Sequence, residues 1–119
     1  MKQYRIYIAG KVTGEDYDQT YEKFCRIEKM LQGLGHEAVN PMKLVSKHLN
    51  NWGEEMKICI ANLMECNAIY LIPDWAESKG AKLEYGLANT LGYLLIDDIQ
   101  VLVMLQQKEA SWLNCELKD

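Results

Sequence analysis

The order of short apolar runs and amphipathic stretches predicts an α/β domain: three α/β/α layers around a mainly parallel sheet of four to five strands, flavodoxin/Rossmann-like. Three observations carry this. Tyr4–Ala9 is rich in β-branched and aromatic residues, as strands are, and Ala68–Ile72 is a continuous apolar run, the mark of a buried strand. The segments between the apolar runs repeat their apolar residues at helical steps. Strands alternate with helices at a spacing that argues for βαβ units covered on both sides, with crossovers expected to be right-handed.

Element by element, Tyr4–Ala9 is the first strand, stopped by Gly10, and residues 10–17 form a loop with two glycines. A helix follows from Asp18, a candidate N-cap, with Phe24, Ile27, Leu31 and Leu34 on one face and Gly35 as its terminator. His36–Asn40 is a short strand ended by Pro41, and residues 41–51 are a polar-leaning loop. A second helix spans Gly53–Cys66, its stripe running through Trp52, Met56, Cys59 or Ile60, and Leu63. Ala68–Ile72 is the third strand, Pro73–Lys79 a loop, Gly80–Leu95 the third helix, and Ile99–Leu105 the fourth strand. The domain is placed at residues 1–105. Residues 106–119 form a tail in which Ser111-Trp112-Leu113 can open a short helix, and Trp112 can pack on the domain or on a subunit neighbour.

The chain has 119 residues, 49% hydrophobic and 25% charged, which suits one soluble domain with its own core. Thirteen lysines and arginines against 17 aspartates and glutamates give a net charge of −4 without blocks of like charge. That argues against long nucleic acid as a partner, while a small anion held by local dipoles stays possible. Cys25, Cys59, Cys66 and Cys115 have no metal-type spacing, and reduced thiols are expected. With no signal peptide before the first strand and no run long enough to span a bilayer, a cytoplasmic protein without membrane contact is expected. His36 and His48 lack ligand-spaced company, so neither a metal nor another cofactor is expected. G-x-S-x-G and P-loop motifs are absent, and Gly10…Gly14 lacks dinucleotide spacing.

In open parallel sheets, ligands bind beyond the carboxyl ends of the strands. Two segments with unusual composition lie there: Gly10-Lys11-Val12-Thr13-Gly14, and Asp74 through Gly80. Glu84 is the most informative residue. It shares the inward stripe of the third helix with Gly80, Ala81, Leu87, Ala88, Leu91 and Leu95, and a carboxylate facing a core is costly unless it is paired or serves chemistry. The alternative is a rotated helix that leaves Glu84 at the rim beside Lys79 or Lys82. Ser78 and Gly80 at the helix start can seat an anion, or Ser78 can simply cap. Tyr7 points opposite to Ile6 and Ile8 and can send its hydroxyl toward the site, or be a satisfied core aromatic.

Tyr7-Ile8-Ala9-Gly10-Lys11-Val12-Thr13-Gly14 and Ser78-Lys79-Gly80-Ala81-Lys82-Leu83-Glu84-Tyr85-Gly86-Leu87-Ala88 resemble two signatures of the nucleoside 2-deoxyribosyltransferase superfamily, in particular its small bacterial and phage members of unknown function, the DUF4406 type. Asn40-Pro41 and the Trp52…Met56 stretch fit the same group. The resemblance implies cleavage or transfer at an N-glycosidic bond of a (deoxy)nucleoside or nucleoside 5′-monophosphate. Glu84 matches the nucleophile and Tyr7 the residue that orients it; Gly10–Gly14 match the segment lining sugar and base, and Ser78 matches a phosphate-holding position. It also implies a homo-oligomer. One departure stands out: the family's helix-two acid and its strand-three aspartate are here Cys59 and Asn67. Glu55, one turn before Cys59, and Asp74 are the candidate replacements for the missing acid. The departure keeps a second expectation open, a non-catalytic nucleotide-binding or sensing module with an eroded site.

Overall fold

The computed structural model describes residues 2–117, with side chains described as far as residue 108. Four parallel strands form one sheet: β1 (Arg5–Ala9), β2 (Glu37–Val39), β3 (Ala68–Leu71) and β4 (Leu94–Ile96), in the order β2-β1-β3-β4. In register, Tyr7 stands between Val39 of β2 and Ile69 of β3. Because β1 is interior to the sheet and covered on both faces, Ile6, Tyr7, Ile8 and Ala9 are all fully buried. This is the flavodoxin/Rossmann-like three-layer arrangement expected from the alternation of elements.

Among the described residues there are five α-helices: α1 (Tyr17–Gly33), α2 (Pro41–Leu44), α3 (Trp52–Leu63), α4 (Lys79–Thr90) and α5 (Gln100–Leu117). Strand alternation divides the core in two. Ile6 and Ile8 pack with Phe24 and Leu31 of α1 and Leu102 of α5, whereas Tyr7 and Ala9 pack with Cys59 and Leu63 of α3 and Ala81 and Ala88 of α4. A fully buried leucine or isoleucine contributes about 1.5–3 kcal/mol, so both layers hold the sheet firmly. Tyr7 therefore points toward α3 and α4, the layer that also holds Glu84.

Caps set the helix boundaries. Asp16, rather than the expected Asp18, caps α1, its Oδ2 accepting the Gln19 N–H at 2.9 Å. Asn51 caps α3 and Ser78 caps α4 through the Glu54 and Ala81 N–H groups. Each such cap is worth about 1 kcal/mol. The loop expected over 41–51 opens with the helical turn α2, because Asn40 Oδ1 accepts the Met42 N–H at 3.0 Å and Pro41 occupies the first helical position, where its missing donor costs nothing. The loop over 73–79 contains a 3₁₀ turn, Trp75–Glu77.

One sequence expectation is corrected. Ile99–Leu105 is not the fourth strand; Ile99 lies in the turn before α5 and the rest lies in that helix, while the fourth strand is Leu94–Ile96. The third helix ends at Thr90 because Gly92 adopts φ +78°, turning the chain back into the sheet. A run that is apolar apart from Gln100 is compatible with a strand or with a buried helix. Here the Asp98 carboxylate accepts the Gln100 N–H at 2.9 Å and starts the helix. Leu102 is then buried while Met104 is 64% exposed. Gln106 Nε2 ties α5 to the Leu34 carbonyl at the end of α1. The boundary expected after residue 105 falls inside this helix, and the packing of the Trp112 side chain lies outside the described residues.

Candidate active site

The site forms where the chain leaves β1 and enters α4. Beyond Ala9, Gly10 passes so close to β3 that a Cβ there would lie 2.7 Å from Ile72 Cδ1. The loop that follows turns through a Glu15 N–H bond to the Val12 carbonyl, with Gly14 at φ +85°. Asp74, from the loop after β3, ties it down. One oxygen accepts the Lys11 N–H at 2.9 Å and the other pairs with Lys23 Nζ at 2.7 Å.

On α4, Ala81, Glu84 and Ala88 follow one another at steps of three and four and are all buried, so the carboxyl of Glu84 is carried inward with the apolar stripe. Lys79, one of its two proposed rim partners, instead places its ammonium 4.6 Å from the Trp52 ring. Glu84 is only 5% exposed, and the hydroxyl of Tyr7, 77 residues away in sequence, donates a hydrogen bond to its Oε2. Burial raises the Glu84 carboxyl from 4.5 to about 7, against the opposing pull of the Tyr7 bond. Burial, and then the adjoining carboxylate, push the Tyr7 hydroxyl well above its ordinary range. The Cys59 thiol beside them is raised to about 11, chiefly by burial. The pair is thus a carboxyl poised to exchange its proton near neutrality, held by a phenol that keeps its own.

This pair faces a pocket of about 160 Å³. Gly10, Val12 and Thr13 form the wall from the β1 loop, and Ser78, Gly80 and Ala81 the wall from α4. Trp52, Glu55, Met56 and Cys59 line it from α3, while Pro41, Met42 and the Val45–Lys47 segment close the side toward α2. Gly80 is needed for the close approach of α3 and α4, since a Cβ there would sit 3.1 Å from Met56 Sδ. At the mouth, Lys47 Nζ stands 4.9 Å from the Tyr17 ring, a favourable cation–aromatic geometry. The walls are mostly apolar and aromatic with few convergent polar groups, as in small-molecule sites generally.

Of the residues singled out from sequence, Tyr7, Gly10, Val12, Thr13, Ser78, Gly80 and Glu84 converge on this pocket. Lys11, Gly14 and Asp74 do not line it. Lys11 pairs with Glu15 at 3.3 Å, and Asp74 shapes the loop from behind. Asn67 lies at the other end of the sheet, its Oδ1 accepting the Arg5 N–H at 2.8 Å. Sequence reasoning missed the α2 wall. Its signal was Asn40-Pro41, a helix start read as a strand stop and as part of the family likeness, not as a cap. Asn40 also donates to Glu28 Oε1 at 3.3 Å, and Glu28 pairs with Lys43 at 2.7 Å, so the turn that presents Pro41 and Met42 is fastened to α1. No trio of His, Cys, Asp or Glu able to hold a metal occurs among the described residues, and no described helix is long and apolar enough to cross a membrane.

Fold and pocket together define a parallel α/β domain with a buried carboxyl–phenol pair held between β1 and α4 at the side of a pocket. The chain belongs to the family described as a domain of unknown function (DUF4406), whose match covers residues 4–97, from the start of β1 to just past β4. No curated protein matches the chain.

Proposed function

We propose that the chain cleaves, or transfers at, the N-glycosidic bond of a (deoxy)nucleoside or nucleoside 5′-monophosphate, with Glu84 as nucleophile. The observation that carries this reading is the Glu84 carboxyl, 5% exposed, held by Tyr7 and opening onto a pocket of small-molecule character. The resemblance of the β1 loop and the α4 start to the deoxyribosyltransferase signatures supplies the bond type.

Breaking a C1′–N bond develops positive charge on the sugar. A carboxylate in a water-poor pocket opposes that charge far more effectively than one in water. It can then close on C1′ to form a glycosyl ester, which water or a second base opens. Tyr7 holds Oε2, leaving Oε1 to face the sugar. With its carboxyl titrating near 7, Glu84 is ionised in about half of the molecules at neutral pH. Ser78 and Gly80 at the start of α4 offer polar groups for the 5′ end of the ligand, and Trp52 and Met56 offer flat apolar surface for its base.

The test is to incubate the protein with the common 2′-deoxynucleosides and their 5′-monophosphates and to follow free base by chromatography. Base release that persists in Glu84→Gln would overturn the mechanism. One observation favours a second reading, a nucleotide-binding module without turnover: Cys59, in the pocket where the resembled family has an acid, holds its proton up to about pH 11. Thermal stabilisation by a nucleotide without base release would support that reading. Base release gained by Cys59→Asp would mark the pocket as an eroded active site.

A further inference from the structure

The wall that α2 lends the pocket comes from the shortest of the described α-helices. Its four residues are too few for a helix to hold by its own bonds, and residues 46–51 beyond it are exposed. The two sides of α2 do different work. Pro41, Met42 and Val45 line the pocket, whereas Asn40 and Lys43 face α1. There both meet the carboxylate of Glu28, which is 9% exposed and is not part of the pocket lining.

Asn40 is 3% exposed, and both ends of its amide are committed. Oδ1 accepts the Met42 N–H at 3.0 Å, while Nδ2 donates to Glu28 Oε1 at 3.3 Å and lies 3.6 Å from Cys25 Sγ. An amide can sit either way round, and only the one with nitrogen toward α1 leaves the oxygen to cap α2. A carboxylate accepts and never donates, so Glu28 dictates that choice. The Cys25 sulfur is too weak an acceptor to dictate it. Lys43 pairs with Glu28 at 2.7 Å, but its side chain is 48% exposed, so solvent screens this second grip.

We propose that Glu28 is a positioning residue of the pocket, acting through Asn40. By fixing that amide it keeps the wall of residues 41–47 closed and so governs access to Tyr7, Cys59 and Glu84. The wall then stands before a ligand arrives, and binding does not have to order it. This inference goes beyond the glycosidic reading, because a wall of fixed shape serves a bound ligand and a cleaved one alike.

Two thiols supply matched reporters. Cys59 and Cys66 are each 7% exposed, and burial chiefly raises each to about 11, but only Cys59 lines the pocket. The experiment alkylates wild type and Glu28→Gln with N-ethylmaleimide and assigns the adducts by peptide mass spectrometry. Glutamine can donate to a reversed Asn40, so Cys59 should react about tenfold faster or more while Cys66 keeps its wild-type rate. Lys43→Met keeps the Asn40 bond and should show a smaller gain; a gain equal to that of Glu28→Gln would overturn the role given to Asn40. Equal acceleration of both thiols would reduce Glu28 to a stabiliser of the whole fold. A Cys59 rate within about twofold of wild type would mean that the wall holds without it. Either result overturns the proposal. Should Glu28→Gln fail to fold, Asn40→Ser makes the same comparison with the same expected and overturning results, since serine keeps a capping oxygen but loses the donor to Glu28.

Discussion

Replacing Glu84 by glutamine should make the protein more stable above neutral pH. The carboxyl titrates at about 7 in the folded chain against an ordinary 4.5. Between those values the folded state binds more protons than the unfolded state, so stability falls as pH rises through this window. At about 1.4 kcal/mol per tenfold change in proton affinity, the ionised carboxylate costs the fold about 3 kcal/mol once the pH is well above 7. Glutamine is nearly isosteric with the protonated acid, can still accept the Tyr7 O–H, and never ionises. Urea unfolding of both proteins at pH 5, 6.5 and 8 isolates the effect, because every other titrating group is shared and cancels. The variant's advantage should grow from just under about 1 kcal/mol at pH 5 to about 3 kcal/mol at pH 8, the latter roughly 10 °C in Tm for a chain of this size. Parallel pH–stability curves for the two proteins would refute the claim that burial of this carboxyl dominates its environment. A gain in stability with loss of base release would be the usual trade between a strained site and its function.

Base release, as kcat/KM, should rise with pH through about 7 and then level off, since the nucleophile must be ionised in the free protein; a pH-rate profile with no limb there contradicts that role. Asp74→Ala should lose about 2 kcal/mol in urea unfolding, because it removes the anchor of both the Lys11 N–H and Lys23. The same variant should weaken ligand binding by loosening the Gly10–Gly14 wall, a change readable by titration. Gly10→Ala should cost about 1–3 kcal/mol by driving a methyl group into Ile72. An unchanged Tm would mean that the β1–β3 approach is slacker than the 2.7 Å contact indicates.

The local periodicities were sufficient for most of the architecture. Alternation in Tyr4–Ala9 put Tyr7 and Ile8 on opposite sides, and steps of three and four put Glu84 on the stripe of Ala81 and Ala88. These patterns are readable because each face of a buried element meets a different solvent or core environment. Ile99–Leu105 carried almost no such contrast, since every position but Gln100 was apolar, and only packing against α1 and the cap from Asp98 resolved it into helix. The α2 wall was illegible for another reason. A four-residue helix has no period to detect, and it exists through the Asn40 cap and the fastening of Lys43 to Glu28 on α1.

The sequence alone determined which residues could carry chemistry and which of them share one face of their own element. It left two rotations of α4 open, one with Glu84 inward and one with it at the rim beside Lys79 or Lys82. Tertiary structure decided between them. Parallel pairing of β1 with β3 brings Tyr7 across 77 residues to Glu84, and the α3 face adds Cys59 and Glu55 to the same pocket. Such meetings are set by strand order and interhelical packing, which involve residues far apart in the chain and leave no trace in any local spacing.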